Sequence, residues 1–301
     1  MFKVVVLAGP TAVGKTSIAI RLATLFNTCV INADSRQLYK EIGIGTAKPT
    51  AEEMGNVPHY FVDTLSVEDT FTAGDFQKQA TEIIQQFKAE GKQTVIVSGG
   101  TGLYLNALMY GMHALPDGDE EIRAELNALY EKEGLASLFK EASRLDAAAI
   151  YSQNENNPQR LMRIIEVCRV SGKKYSDFLQ QDKSTNDFSF ITIALDKDRK
   201  KLYQQIESRV DAMMQNGLLE EVKRMIPNRN CYALKTVGYK ELFEYLDGDV
   251  ALAQAIDLIK QHTRNYAKRQ LTWFRKDKNY HWFSPDEFDA IHQFISVELL
   301  K

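Results

Sequence analysis

The apolar positions fall into two spacings. Residues 4–8 form an unbroken run, Val4-Val5-Val6-Leu7-Ala8, which predicts a strand buried on both faces, not the alternation of a half-exposed one. After a glycine turn, apolar residues recur at Ile18, Leu22, Leu25 and Phe26, a spacing that predicts a helix over 17–26. Short apolar runs return at 29–33 and 93–98 (QTVIVS), and 188–195 (FSFITIAL) is the last clear strand candidate. Such strands, separated by helices, predict an α/β fold whose parallel sheet carries helices on both faces.

Between 113 and 187 the strand signal vanishes. Amphipathic helices are predicted over 120–132 and 135–143, and a third starts at the Asn157 cap with Pro158 in its first turn and stops at Ser171-Gly172. Arg160 and Arg163 lie one turn apart on that helix. The expectation is a helical insertion over 113–187 in a core made of 1–112 and 188–301, with long helices over 199–214 and 252–274.

With 301 residues and 44% hydrophobic content, the chain can bury a large core without staples. Cys29, Cys168 and Cys231 are scattered and show no C-x-x-C spacing, which points to buried thiols in a reducing compartment. The five histidines show no ligand spacing, so a structural metal site is not expected. The opening apolar run is too short for a secretory or membrane segment, and a cytoplasmic protein, monomeric by default, is expected.

A net charge of −3 excludes a uniformly basic coat but not a local one. Between 260 and 278, Lys260, Arg264, Lys268, Arg269, Arg275, Lys276 and Lys278 are interleaved with Tyr266, Trp273 and Phe274. This pattern suits a surface that binds a phosphate backbone and stacks bases. It equally suits a helix with a solvated cationic face.

The strongest chemical signal is Gly9-Pro10-Thr11-Ala12-Val13-Gly14-Lys15-Thr16, a full G-x-x-x-x-G-K-T between a predicted strand and a predicted helix. In such a loop backbone N–H groups converge on phosphate oxygens, Lys15 adds a point charge, and the Thr16 hydroxyl can ligate Mg2+. The second strand runs into Asn32-Ala33-Asp34-Ser35-Arg36-Gln37, at the sheet edge where open α/β folds build their sites. Asp34 there can be a general base, a metal-sphere ligand or a turn residue. The loop Gly43-Ile44-Gly45-Thr46-Ala47-Lys48-Pro49 offers a lysine to an anion, and Gly99-Gly100-Thr101-Gly102 makes a second glycine turn at the same edge. A P-loop kinase, with Asp34 on Mg2+ and the insertion as a lid, is one reading of these features.

In order along the chain, GPTAVGKT (9–16), DSRQLY (34–39), GTAKP (45–49), GGTGLY (99–104), NPQRLMR (157–163), TVGYKE (236–241) and AKRQLTWFR (267–275) resemble the bacterial tRNA dimethylallyltransferase family over nearly the whole chain. The resemblance implies transfer of a dimethylallyl group from dimethylallyl diphosphate to N6 of the adenine on the 3′ side of the tRNA anticodon. It implies that the phosphate loop, with Mg2+, holds the donor's diphosphate, that Asp34 is the base, that Thr101 lies between donor and base, and that Arg209 stabilises the leaving group. It further implies tRNA contacts from Ser35, Arg36, Gln37, Arg123, Pro158, Gln159, Arg160, Leu161, Lys240, Lys268 and Arg269. The chain departs from the family pattern at Pro58-His59-Tyr60, where Pro-His-His is usual. It also departs at Asp146-Ala147 and Tyr151-Ser152, where Asp-Pro and His-Pro are usual, and at Gln205, where an arginine is frequent.

Overall fold

The computed structural model describes residues 1–152, 156–180 and 187–301, with the side chains of Tyr151 and Ser152 outside the described set. The chain divides into two compact units, Met1–Met109 with Asn186–Lys301, and Tyr110–Thr185.

The first unit opens with β1 (Phe2–Ala8), α1 (Lys15–Leu25), β2 (Val30–Asn32), α2 (Ala51–Met54), β3 (His59–Tyr60), α3 (Ala73–Ala89), β4 (Thr94–Gly99) and α4 (Gly102–Tyr110). The second unit is helical: α5 (Glu120–Glu133), α6 (Leu135–Ser152), α7 (Pro158–Ser171) and α8 (Tyr175–Leu179). The first then resumes with β5 (Phe188–Leu195), α9 (Arg199–Gln215), α10 (Leu218–Arg224), α11 (Tyr239–Leu246), α12 (Leu252–Phe274), β6 (His281–Phe283) and α13 (Phe288–Leu300).

Among the described residues the sheet has six strands, all parallel, in the order β3-β2-β4-β1-β5-β6. The phosphate-loop strand β1 is central. Its Val5 and Leu7 join a core with Ile18 and Leu22 of α1, Leu202 and Ile206 of α9, and Ile291 and Ile295 of α13. Val4 and Val6 point to the other face and are equally buried, which is why β1 reads as a continuous apolar run. Sequence patterning misses the two edge strands, β3 and β6. They are two and three residues long and rich in aromatics, too short for any period to show.

In the helical unit, Leu126, Leu138, Leu161, Ile164 and Ile165 form a separate core. Helix α7 begins and ends on the expected signals: Asn157 Oδ1 accepts from the Arg160 N–H at 3.2 Å, and Gly172 closes the helix in the left-handed region. Helix α6 runs beyond the expected 143 to Ser152, with a kink at Asp146. The buried Asp146 accepts from the Ala149 N–H at 3.2 Å and from the Ser176 N–H at 2.6 Å, so it caps the second half of α6 and holds the start of α8. No helix among the described residues is long and apolar enough to cross a membrane.

Candidate active site

The phosphate loop closes over the end of β1. Gly14 has φ of 103°, a conformation costly for any residue with a Cβ, and it delivers the chain into α1 at Lys15. The first N–H groups of α1 have no partner within their own helix and turn the positive end of its dipole toward the loop. Lys15 Nζ donates to the Gly9 and Pro10 carbonyls at 2.9 and 2.7 Å. Burial depresses the ammonium to about 8, with Asp34 holding it up and Arg209 adding a further downward push. Lys15, Thr16, Asp34, Gln37, Glu53 and Arg209 line a cavity of about 610 Å³, within the range of small-molecule sites.

A second cavity of about 550 Å³ shares Thr11, Asp34, Thr46, Ala47 and Arg209 with the first and adds Arg36, Lys235, Lys240, His262, Tyr266 and Arg269. Asp34 therefore borders both. One of its oxygens does local work, with Oδ1 accepting from the Arg36 N–H at 3.0 Å in a turn. Thr101 fixes the same turn: its Oγ1 accepts from the Ser35 N–H at 2.9 Å and donates to Ser35 Oγ at 3.2 Å. The Arg209 guanidinium, lowered by burial against the pull of Asp34 and Glu53, has no hydrogen-bond partner among the described residues. Gln205, with its amide nitrogen turned toward the acceptor, donates to the Ala12 carbonyl at 3.2 Å, so this departure from the family pattern still touches the phosphate loop.

Several residues proved to be committed elsewhere. Gln37 Nε2 donates to the Thr46 and Ala47 carbonyls at 3.0 and 3.1 Å, tying the DSRQ turn to the next loop. Lys48, expected to reach an anion, instead donates to the Tyr39 carbonyl at 2.6 Å and pairs with Asp63. In the basic segment Lys260, Arg264 and Arg275 are paired with Asp211, Glu207 and Asp196. Lys268 and Arg269 are exposed.

Two buried polar residues act inside the fold: Gln270, which lies in the AKRQ run, and Glu221, for which the sequence carried no chemical signal. Gln270 is buried on α12, where its Oε1 accepts from the Thr11 N–H at 2.8 Å and its Nε2 donates to the Gly100 carbonyl at 2.9 Å. A Cβ on Gly100 would stand 2.2 Å from that amide, and one on Gly102 would stand 2.3 Å from the Trp273 ring. The glycine turn after β4 is thus shaped to receive α12. The second residue, Glu221, is buried on α10 and accepts from the N–H groups of Gly43, Ile44 and Gly45, each at 2.9 Å.

Residues 37–277 match the family model described as IPP transferase. The chain belongs to the IPP transferase family. It is an enzyme of the transferase class. The tRNA dimethylallyltransferase of Cytophaga hutchinsonii is 45% identical over 296 residues, covering 98% of this chain and 97% of that protein. The crystal structure of a full-length tRNA isopentenylpyrophosphate transferase from Bacillus halodurans superposes with a TM-score of 0.74 at 37% identity, covering 99% of this chain and 97% of that one. A eukaryotic dimethylallyltransferase acting on tRNA superposes with a TM-score of 0.75 at 28% identity over 91% of this chain and 70% of its own.

In this IPP transferase the helical unit holds a polar cluster around Glu166. Burial alone would raise the Glu166 carboxyl, but hydrogen bonds from Arg163 and Arg123 hold it below the ordinary carboxylate range. Arg123 reaches it at 2.5 Å and Arg163 at 2.7 Å, and Arg163 also donates to the Pro116 carbonyl at 2.6 Å. Arg123 is therefore partly spent on its own unit, while Arg160 is exposed and has no ion pair among the described residues. Leu161 departs from expectation outright: it is fully buried in the helical core, so its side chain presents nothing to a partner. Pro158 and Gln159 lie at the solvent-facing start of α7.

Proposed function

We propose that this transferase moves a dimethylallyl group from dimethylallyl diphosphate to N6 of the adenine on the 3′ side of the anticodon in tRNA. The observation that carries the reading is the position of Asp34, which borders both the phosphate-loop cavity and the cavity lined by Arg36, Lys235, Lys240 and Arg269. The names of the relatives supply the substrate classes. The first cavity suits a compact dianionic group and the second an extruded base with its flanking phosphates.

In the reaction the bond from N6 to the allylic carbon forms as the carbon–oxygen bond to diphosphate breaks. The bonding pair leaves with the diphosphate, and the N6 proton passes to Asp34. The exocyclic amine is a weak nucleophile because its lone pair is delocalised into the ring, so a carboxylate poised at the transition state contributes on the order of 10²- to 10⁴-fold. The loop residues Gly9, Pro10, Thr11, Ala12, Val13 and Gly14 cradle the diphosphate with Lys15, and Arg209 meets the charge that develops on it. Thr101 holds the Asp34 turn in place and stands beside the reacting base. Ser35, Arg36, Gln37, Lys240, Lys268 and Arg269 bear on the RNA, and Arg123, Pro158, Gln159 and Arg160 meet the anticodon arm.

No group of three or more His, Cys, Asp or Glu that could hold a metal occurs among the described residues. A Thr16 hydroxyl with few protein ligands fits Mg2+, which is usually held through substrate phosphates. When bound, Mg2+ supplies neutralisation of the leaving diphosphate.

The test is to incubate the protein with dimethylallyl diphosphate, Mg2+ and unmodified tRNA, then digest and search by mass spectrometry for prenylated adenosine. Product from wild type and none from Asp34→Ala supports transfer with Asp34 as base. ATP turnover with no prenylated adenosine in any tRNA would replace this reading with a kinase.

A further inference from the structure

The 3-10 turn Tyr232–Leu234 places a large aromatic ring in water. Tyr232 is 70% exposed, whereas the next two residues, Ala233 and Leu234, are each 1% exposed. The ring thus stands on an anchored turn, not on a loose loop. Its partner is Arg36, two residues beyond Asp34: the guanidinium carbon lies 4.6 Å from the ring centroid, and Nη1 donates to the Tyr232 carbonyl at 3.0 Å. Arg36 also lines the second cavity, as does Lys235, three residues past Tyr232. A lone exposed tyrosine needs no explanation. A tyrosine oriented by a guanidinium at the rim of a cationic cavity calls for a ligand with a flat face.

We infer that Arg36 and Tyr232 form a stacking platform for one RNA base, that of a nucleotide neighbouring the adenine drawn into the Asp34 cavity. The inference rests on the tRNA reading above and adds a subsite to it. Extracting one base from a loop deprives each of its neighbours of a stacking partner. An aromatic ring with a guanidinium plane against it replaces that partner with little dependence on base identity. Arg36, Lys235, Lys240 and Arg269 along the same cavity complement the phosphates on either side.

The experiment uses an anticodon stem-loop RNA carrying 2-aminopurine immediately 5′ or 3′ of the target adenine, titrated with the full chain. With wild type, fluorescence at one of the two positions is quenched on binding. Tyr232→Ala abolishes the quenching and raises Kd about five- to hundredfold, the range for loss of one base–aromatic stack. The slope of log Kd against log salt is unchanged, because no phosphate contact is lost. Tyr232→Phe keeps both quenching and affinity. Since the ring is exposed, the unfolding midpoint of Tyr232→Ala stays at the wild-type value, which separates loss of the platform from loss of fold. The platform is overturned if Tyr232→Ala binds and quenches as wild type does, or if wild type prenylates tRNA while neither position is quenched. If wild type neither binds the stem-loop nor modifies tRNA, the tRNA reading falls and takes the platform with it.

Discussion

Gln270 accepts a hydrogen bond from the backbone nitrogen of Thr11 at 2.8 Å, joining two residues 259 positions apart. With its other end on the Gly100 carbonyl, this one amide sets the distance between the phosphate loop and the glycine turn that carries Thr101. Gln270→Leu leaves the part-buried Thr11 N–H and the buried Gly100 C=O without their partner, so stability falls by about 1–3 kcal/mol. Because the orphaned N–H belongs to the phosphate loop, the KM for dimethylallyl diphosphate should rise more than the KM for tRNA. Chemical denaturation and steady-state kinetics with each substrate varied in turn check both parts. Equal effects on the two KM values would make Gln270 a packing residue only.

Lys15 gives the donor site a pH limit. Its ammonium is depressed to about 8 by burial, so the free enzyme loses that charge as pH rises through 8. A bound diphosphate favours the charged form, and binding above pH 8 must therefore take up a proton. The expected outcome is a KM for dimethylallyl diphosphate that is flat below pH 8 and rises about tenfold per pH unit just above it, as a single-proton linkage requires. Lys15→Arg, permanently charged, shows no such break. Steady-state kinetics between pH 6.5 and about 9.5 would reveal it.

Much of this site was legible because its residues are local. The strand-loop-helix around Gly9 to Thr16, the turn at Asp34, and the Asn157 and Gly172 caps each depend on neighbours a few positions away, and each lies where its pattern predicts. What the pattern could not show is long-range pairing. The AKRQ run suggested RNA contacts, yet Gln270 faces inward while Lys268 and Arg269 face out, a split that one turn of helix imposes and composition does not reveal. Likewise TVGYKE holds Tyr239 and Glu241 buried and only Lys240 exposed. Leu161 was expected at the RNA through the resemblance of the NPQRLMR run as a whole, although its place on α7 turns its side chain into the helical core beside Met162. The edge strands β3 and β6 exist only through pairing with longer strands already in place.

Glu221 fixes the loop that contributes Thr46 and Ala47 to both cavities. Its carboxylate takes three consecutive backbone N–H groups, and the buried Tyr239 hydroxyl donates to it at 2.5 Å. Glu221→Ala strands all four donors at once and should cost about 3 kcal/mol or more. Tyr239→Phe removes one donor from a carboxylate that retains three, at about 1 kcal/mol. Denaturation curves for the two variants should keep this order. If Glu221→Ala costs no more than Tyr239→Phe, water has replaced the carboxylate and the loop is not held from α10.

The helical unit has its own acid sensitivity, centred on Glu166. Its carboxyl lies below the ordinary range because Arg163 and Arg123 both donate to it, so the folded state binds its proton more weakly than the unfolded chain does. The stabilisation is therefore complete above the unfolded glutamate value of about 4.3 and is lost as pH falls through the lower folded value. Glu166→Ala leaves two guanidinium groups, each about one-third exposed, facing one another over a vacated site, at a cost of about 2–3 kcal/mol near neutral pH. Glu166→Gln keeps the shape and some hydrogen bonds but cannot titrate. Unfolding followed by a probe within α5 to α7 should therefore show a stability that declines below pH 4.3 in wild type and declines less in Glu166→Gln. Parallel declines would assign the acid response to other carboxylates and leave the Arg123–Glu166–Arg163 cluster without a net contribution to stability.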